Sequence, residues 1–152
     1  MFVFIIFGTL LLDQASKAVV QMLMYHGESI PVAPPVFYLT YILNPGAAFG
    51  ILAHRTPIFI TVTILLAAGV LLGYKKLPPE RRLLRYGLGL VVGGALGNLA
   101  DRLRCGFVVD FLDFRVWPVF NLADIAIVTG ACFLVWELLK NNDKKPEKER
   151  GI

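Results

Sequence analysis

Charge is what this chain has least of. Of its 152 residues only 17% are Asp, Glu, Lys or Arg, while 57% are hydrophobic and the mean hydropathy is +0.67. Soluble domains carry nearer a quarter charged residues, so an ordinary soluble surface is excluded. Disorder is excluded as well, since it needs low hydrophobicity and high net charge. The net charge of +4 is not spread along a polar face, which excludes an ordinary nucleic-acid binder. Cysteine is scarce. Cys105 and Cys132 are too few for a disulfide framework, and Cys132, inside a long apolar run, reads as a small buried hydrophobe. His26 and His54 stand alone, with no CxxC and no HExxH, so no metal site and no cofactor are expected. There is no GxSxG and no paired Cys and His, so a nucleophilic triad has no support.

What is abundant is long uncharged sequence. Thr56 to Tyr74 is 19 residues without a charge, roughly 28 Å of helix at about 1.5 Å per residue, close to the thickness of a bilayer core. Thr56 reads as its N-cap, and Pro57 suits the first helical position. Asn121 to Leu139 is another 19 residues, with Asp124 and Glu137 near its ends. Tyr86 to Ala100 is 15 uncharged residues rich in glycine. Its Gly89-xxx-Gly93 and Gly93-xxx-Gly97 spacings suit close approach to a neighbouring membrane helix. The N-terminal run has no basic leader and no small-x-small cleavage site, so it reads as a span over 2–24 rather than a signal peptide. Spans are therefore expected over about 2–24, 56–74, 86–104 and 121–139. Ser29 to His54 is uncharged too, but it holds Pro31, Pro34, Pro35 and Pro45. Within it VFYLTYIL reads as strand, part of a small β-element over about 28–52 with Phe37, Tyr38 and Tyr41 at the membrane interface.

Lysine and arginine counts orient the spans. Lys75–Arg85 holds five and Lys140–Ile152 another five, against one in Tyr25–Arg55 and two in Leu103–Pro118. The 75–85 loop and both termini are then cytoplasmic, and the β-element and the 104–118 segment lie outside. Residues 1–140 form one membrane domain, and 141–152 reads as a disordered tail. The basic clusters set topology and touch anionic lipid.

Polar residues within a membrane are costly and default to function. With this topology Asp13, Lys17, Asn44, Asn98, Asp101, Arg102, Asp110, Asp113, Asn121 and Asp124 all fall near the outer interface. Asp13 and Lys17, at i and i+4, read as a pair. Asp101 beside Arg102 reads as a structural ion pair, and Asp113 as an exposed loop charge. Asn98-x-x-Asp101 and Asn121-x-x-Asp124 each place an amide and a carboxylate on one helix face, and Asn121 is positioned to cap the fourth span. Asp110, inside VVDF, is expected to have a pKa raised by desolvation. It and Asp124 have no equally good local partner. Two such carboxylates at one depth suit a shared-proton dyad, in which one activates water and the other, protonated, polarises a carbonyl.

At these residues the chain resembles the lipoprotein signal peptidase (signal peptidase II) family of bacterial intramembrane aspartyl proteases. The resemblance runs from about residue 5 to 140 on five ordered blocks: DQASK at 13–17, NPGAAFG at 44–50, GGALGNLADR at 93–102, VVDF at 108–111 and FNLADIAI at 120–127. It implies an all-α membrane fold of four helices with a small extracytoplasmic β-cradle and both termini cytoplasmic, in the bacterial inner membrane. It implies cleavage of prolipoproteins just before a diacylglyceryl-modified cysteine, with Asp110 and Asp124 catalytic and the site near the outer face. Asp13, Lys17, Asn44, Asn98, Asp101, Arg102, Asn121 and Ala123 are implied as supporting or substrate-binding positions, with Ala123 leaving room for the peptide. Globomycin is implied as an inhibitor. A working monomer, in contact with membrane lipid, is expected. Only 13 residues separate Asp110 from Asp124, so the turn through Arg115–Pro118 is expected to be compact.

Two other readings compete. A small proton-coupled transporter or channel subunit would place its charges near the midplane rather than at one face. A purely structural subunit would leave the Asn/Asp pairs unexplained.

Overall fold

A computed structural model of the chain describes residues 1–46 and 55–142. The end of the expected β-element beyond residue 46, its bend at Gly50, His54 and the tail from 143 lie outside the described residues. Four helices are long and apolar enough to cross a membrane: α1 (Phe2–Leu23), α2 (Thr56–Gly73), α3 (Arg82–Cys105) and α4 (Leu122–Asn142). α2 runs on into a 3-10 turn over Tyr74–Lys76. The described residues also form three strands, β1 (Ser29–Ala33), β2 (Phe37–Asn44) and β3 (Val108–Asp113), in one antiparallel sheet of order β1-β2-β3.

α3 is the helix around which the others assemble, because its glycines form two flat faces. The Gly89, Gly93 and Gly97 face meets α1, and a Cβ on Gly93 would lie 2.9 Å from the Ile6 carbonyl oxygen. The Gly87 and Gly94 face meets α4. A Cβ on Gly94 would strike the Ala123 carbonyl oxygen, and one on Gly87 would sit 2.8 Å from that of Gly130. Without lipid-excluding driving force between apolar helices, this close backbone packing is what holds them. At the end of the bundle away from the sheet, Phe2, Ile6, Ala67 and Val92 form a core where α1, α2 and α3 meet, with Phe2 stacked on Tyr74 at 3.9 Å. At the other end Val20 of α1 and Met24, just past its end, pack on Phe111 of β3, joining the bundle to the sheet.

The sheet departs from expectation in its third strand. The 104–118 segment is not only a loop: β3 pairs with β2 from Tyr38↔Asp113 to Asn44↔Val108, with an extra β2 residue between Leu39 and Ile42. Five of the six β3 residues are buried, so the strand has no polar/apolar alternation to announce it. The turn after it is compact, as its length requires. Arg115 takes a left-handed conformation (φ 64°), and Phe120 bridges back to Leu112.

Two smaller expectations are corrected. Thr56 is the first helical residue of α2 rather than its N-cap, and its hydroxyl donates to the Gly106 carbonyl (3.2 Å) instead of serving its own helix. Cys132 is exposed on the outer surface of α4, because a bilayer-facing surface is as apolar as a core and hydrophobicity alone does not separate the two.

Candidate active site

Near the sheet, α1, α3, α4 and β3 bring their polar side chains together. The deepest group is Lys17, almost wholly buried together with Asp13. Its ammonium lies 2.9 Å from Asp13 Oδ2 and 2.8 Å from Asp101 Oδ2. The i,i+4 pair is thus present, and Asp101 pairs with Lys17 rather than with its neighbour Arg102. Adjacent helix residues point roughly 100° apart, so Asp101 faces the bundle and Arg102 the cleft. Asp101 Oδ2 also accepts the Val109 N–H (3.2 Å), tying α3 to β3. Asp13 Oδ1 accepts the Ala123 N–H (3.0 Å). Ala123 is therefore a packing residue, fully buried between α1, α3 and α4 and absent from the cleft lining. A larger side chain there meets protein.

One layer out, three asparagine amides hold two carboxylates. Asn98 Nδ2 donates to Asp124 Oδ1 (2.8 Å), Asn44 Nδ2 to Asp110 Oδ2 (2.8 Å), and Asn121 Nδ2 to Asp110 Oδ1 (2.6 Å). Asn121 caps α4 as expected: its Oδ1 accepts the Asp124 N–H (3.0 Å), while its own N–H donates to Asp124 Oδ2 (3.2 Å). This reciprocal exchange is a capping box with Asp in the Glu position. Asn121 thus bonds to both carboxylates, and its Nδ2 also reaches Asn98 Oδ1 (3.0 Å). Neither Asp110 nor Asp124 has an ion pair among the described residues. Burial pushes the Asp110 carboxyl up to about 7 from an ordinary 3.8. The donated hydrogen bonds of Asn44 and Asn121 oppose that shift, and the neighbouring Asp124 charge adds to it.

Both carboxylates line a cleft of about 370 Å³ together with Asn44, Asn98 and Arg102. Phe59 and Thr63 of α2 form one wall, and Trp117 to Phe120 another. Arg102 Nη2 donates to the Gly46 carbonyl (2.8 Å), and its guanidinium lies 4.2 Å from the centre of the Phe59 ring. The arrangement has two unneutralised carboxylates, a cation at the rim and apolar walls. Such a pair of carboxyl groups has the chemistry of a general acid and a general base.

Asp113 is not an exposed loop charge. It is buried, accepting from the Thr40 hydroxyl (2.7 Å) and the Arg115 N–H (2.8 Å), and it stands apart from the cleft as part of the sheet. Sequence reasoning also passed over Gln14, whose Nε2 bridges Asp101 Oδ1 (2.9 Å) and the Gly97 carbonyl (3.1 Å). The signal was available, since Gln14 is a polar residue inside a span beside Asp13. Phe59 and Trp117 carried none, being apolar residues in apolar surroundings.

A sequence model described as "Signal peptidase (SPase) II" matches residues 5–140. A lipoprotein signal peptidase of Pelotomaculum thermopropionicum is 68% identical over 151 residues, covering 99% of each chain. One from Moorella thermoacetica is 57% identical over 130 residues, 86% of this chain and 87% of the other. Among solved structures, a bacterial membrane enzyme determined by the in meso method at 2.3 Å superposes with a TM-score of 0.90. It is 31% identical and covers 99% of this chain and 94% of its own. A second, at 1.9 Å, gives 0.83 at 30% identity, with 92% and 93% covered.

Proposed function

Because the chain belongs to the signal peptidase II family, aspartic-type peptidases that remove signal peptides from prolipoproteins, we propose that Asp110 and Asp124 are its catalytic dyad and that it cleaves just before a diacylglyceryl-modified cysteine. One observation carries this reading. Two carboxylates from different elements, β3 and α4, line one cleft and share Asn121, with amides rather than cations as partners. Like charges so placed do not both ionise readily, and the pair shares a proton. Asp110, raised to about 7, is its natural holder.

The reaction then follows. Asp124, ionised, takes a proton from water as the water oxygen bonds to the scissile carbonyl carbon. Asp110 donates its proton to the carbonyl oxygen. When the tetrahedral intermediate collapses, the C–N bond breaks, the carbonyl re-forms, and the amine of the departing cysteine leaves with a proton from the dyad. Asn44, Asn98 and Asn121 keep the carboxylates aimed, and Asp13, Lys17 and Asp101 hold α1, α3, α4 and β3 together behind them. Arg102 positions the end of β2 through Gly46. The concentration of polar groups at one end of the bundle disfavours a transporter, whose charges belong along a path through the midplane.

The same reading places the chain in the bacterial inner membrane with both termini cytoplasmic and the cleft at the outer face. The Lys/Arg-rich 75–85 loop, at the end of the bundle opposite the cleft, supports this. It also takes the chain to work as a monomer and globomycin to compete there.

The test is processing of a lipid-modified prolipoprotein by purified protein in detergent or lipid. Asp110→Asn and Asp124→Asn are each expected to lower turnover by at least about 10³-fold while the protein is still recovered folded. Near wild-type cleavage by either variant ends the dyad assignment. Topology has its own check: a reporter at the C-terminus should read cytoplasmic and one near Glu28 external, and the reverse pattern would put the cleft on the wrong side.

A further inference from the structure

A buried lysine between two carboxylates is ordinarily their counter-ion, and Lys17 does that work for Asp13 and Asp101. It makes a third contact that charge balance does not require. Its ammonium also donates to Asn98 Oδ1, at 2.9 Å, in a buried setting. An ammonium has three donor hydrogens and no acceptor, so the three partners use its full capacity.

That third bond has a directional consequence. Because Lys17 only donates, the Asn98 atom facing it must be the carbonyl oxygen. The Asn98 amide nitrogen is then turned the other way, where it donates to Asp124 Oδ1 at 2.8 Å. The opposite orientation would set an NH2 against an ammonium and an amide oxygen against a carboxylate, two repulsions at once. Asn121 Nδ2 donates to the same Asn98 oxygen (3.0 Å) and favours the same orientation, but as a neutral donor already shared with Asp110 and the Val109 carbonyl. Bonds to charged donors are the stronger ones. Lys17 on α1 thus reaches Asp124 on α4 by way of one amide on α3, beside the direct bond from the Ala123 N–H to Asp13.

We infer that Lys17 is a positioning residue for the hydrolysis: by fixing the orientation of the Asn98 amide it holds Asp124 in place, beyond its service as a counter-ion. This rests on the dyad reading given above. Lys17 does not touch substrate and works through Asn98, so its effect should disappear when Asn98 is gone. A cation acting through space on the dyad would lack that property.

The experiment is a double-mutant cycle on kcat, measured by single turnover of a lipid-modified prolipoprotein. It is run in an Asp101→Asn background, where one carboxylate has been neutralised, so that removing the lysine returns the buried cluster to the net charge it has in the wild type. Lys17→Met should lower kcat about tenfold with KM within about twofold. The same substitution in an Asn98→Ala chain should change kcat by less than about twofold. If the two effects multiply instead, Lys17 acts independently of Asn98 and the inference is overturned. It is overturned equally if the charge-matched Lys17→Met protein does not fold, which would make the lysine a determinant of the fold, or if Asn98→Ala leaves no measurable turnover, which would make Asn98 more than a relay. The dyad itself is judged separately by Asp124→Asn. Near wild-type cleavage there fells the dyad, whereas abolished cleavage with a multiplicative cycle fells only the role of Lys17.

Discussion

α2 and α3 lie side by side, both long enough to span a membrane, and they are built to opposite ends. α2 carries no charge from Thr56 to Gly73, yet only 6% of its span is buried in protein, against 39% for α3. α3 is interrupted by five glycines and ends in Asn98, Asp101 and Arg102, and it is the helix on which α1 and α4 assemble. The more apolar helix is thus the more exposed one. In a soluble core the ranking would be reversed. Here apolar bulk is what lipid requires, and small or polar residues mark where protein meets protein.

The largest expected effect tests that contrast directly. Gly94→Leu drives a side chain into the Ala123 backbone, and no folded protein should be recovered by size-exclusion chromatography. A normally folded Gly94→Leu protein would show that α3 and α4 tolerate separation, and the contrast would fail. A smaller effect concerns pH. Asp110 has a folded pKa of about 7 against 3.8 when unperturbed. Below about pH 4 it is protonated folded or unfolded and costs nothing. Between about 4 and 7 the unfolded chain ionises while the folded chain keeps its proton, so this residue makes the wild type lose stability as pH rises, by at most about 1.4 kcal/mol per unit. Above 7 the loss is complete. Asp110→Asn should therefore gain stability relative to wild type across that window, read from unfolding midpoints in detergent. A difference that shrank as pH rose would contradict the assignment. α2, without ionisable groups, should contribute nothing to it. The smallest effect is expected on α2 itself. A Cβ at Gly69 meets nothing within 4 Å, so Gly69→Leu should leave the unfolding midpoint within about 0.5 kcal/mol of wild type. A large loss would mean that α2 packs more tightly than its exposure indicates.

The spans were legible because bilayer thickness imposes a length on uncharged sequence, and the glycine spacings on α3 correctly announced a packing face. Asp13 with Lys17, and the cap at Asn121, were legible because both are local and follow helical spacing. What escaped were contacts between elements distant in sequence. Asp101 pairing with Lys17 across helices was hidden by the more obvious neighbour Arg102. The burial of Ala123 depends on α1 and α3, neither of which its own surroundings on α4 reveal. β3 escaped because burial on both faces erased its alternation. Asp113 went with it, since a carboxylate in a supposed loop reads as solvated until the strand partners appear.

The capping box at Asn121 and Asp124 has one further consequence. Helix ends are usually the softest parts of a protein, opening and closing at little cost, with backbone hydrogens that exchange readily with solvent. At α4 the first turn is closed by the same carboxylate that lines the cleft, and that carboxylate is gripped in turn by the Asn98 amide. Fraying of the turn breaks bonds that hold Asp124, and displacing Asp124 from the cleft breaks the same cap. On the proposed dyad reading, opening of that one turn also takes the cleft apart, and the exchange rate of the Asp124 amide hydrogen reads that opening.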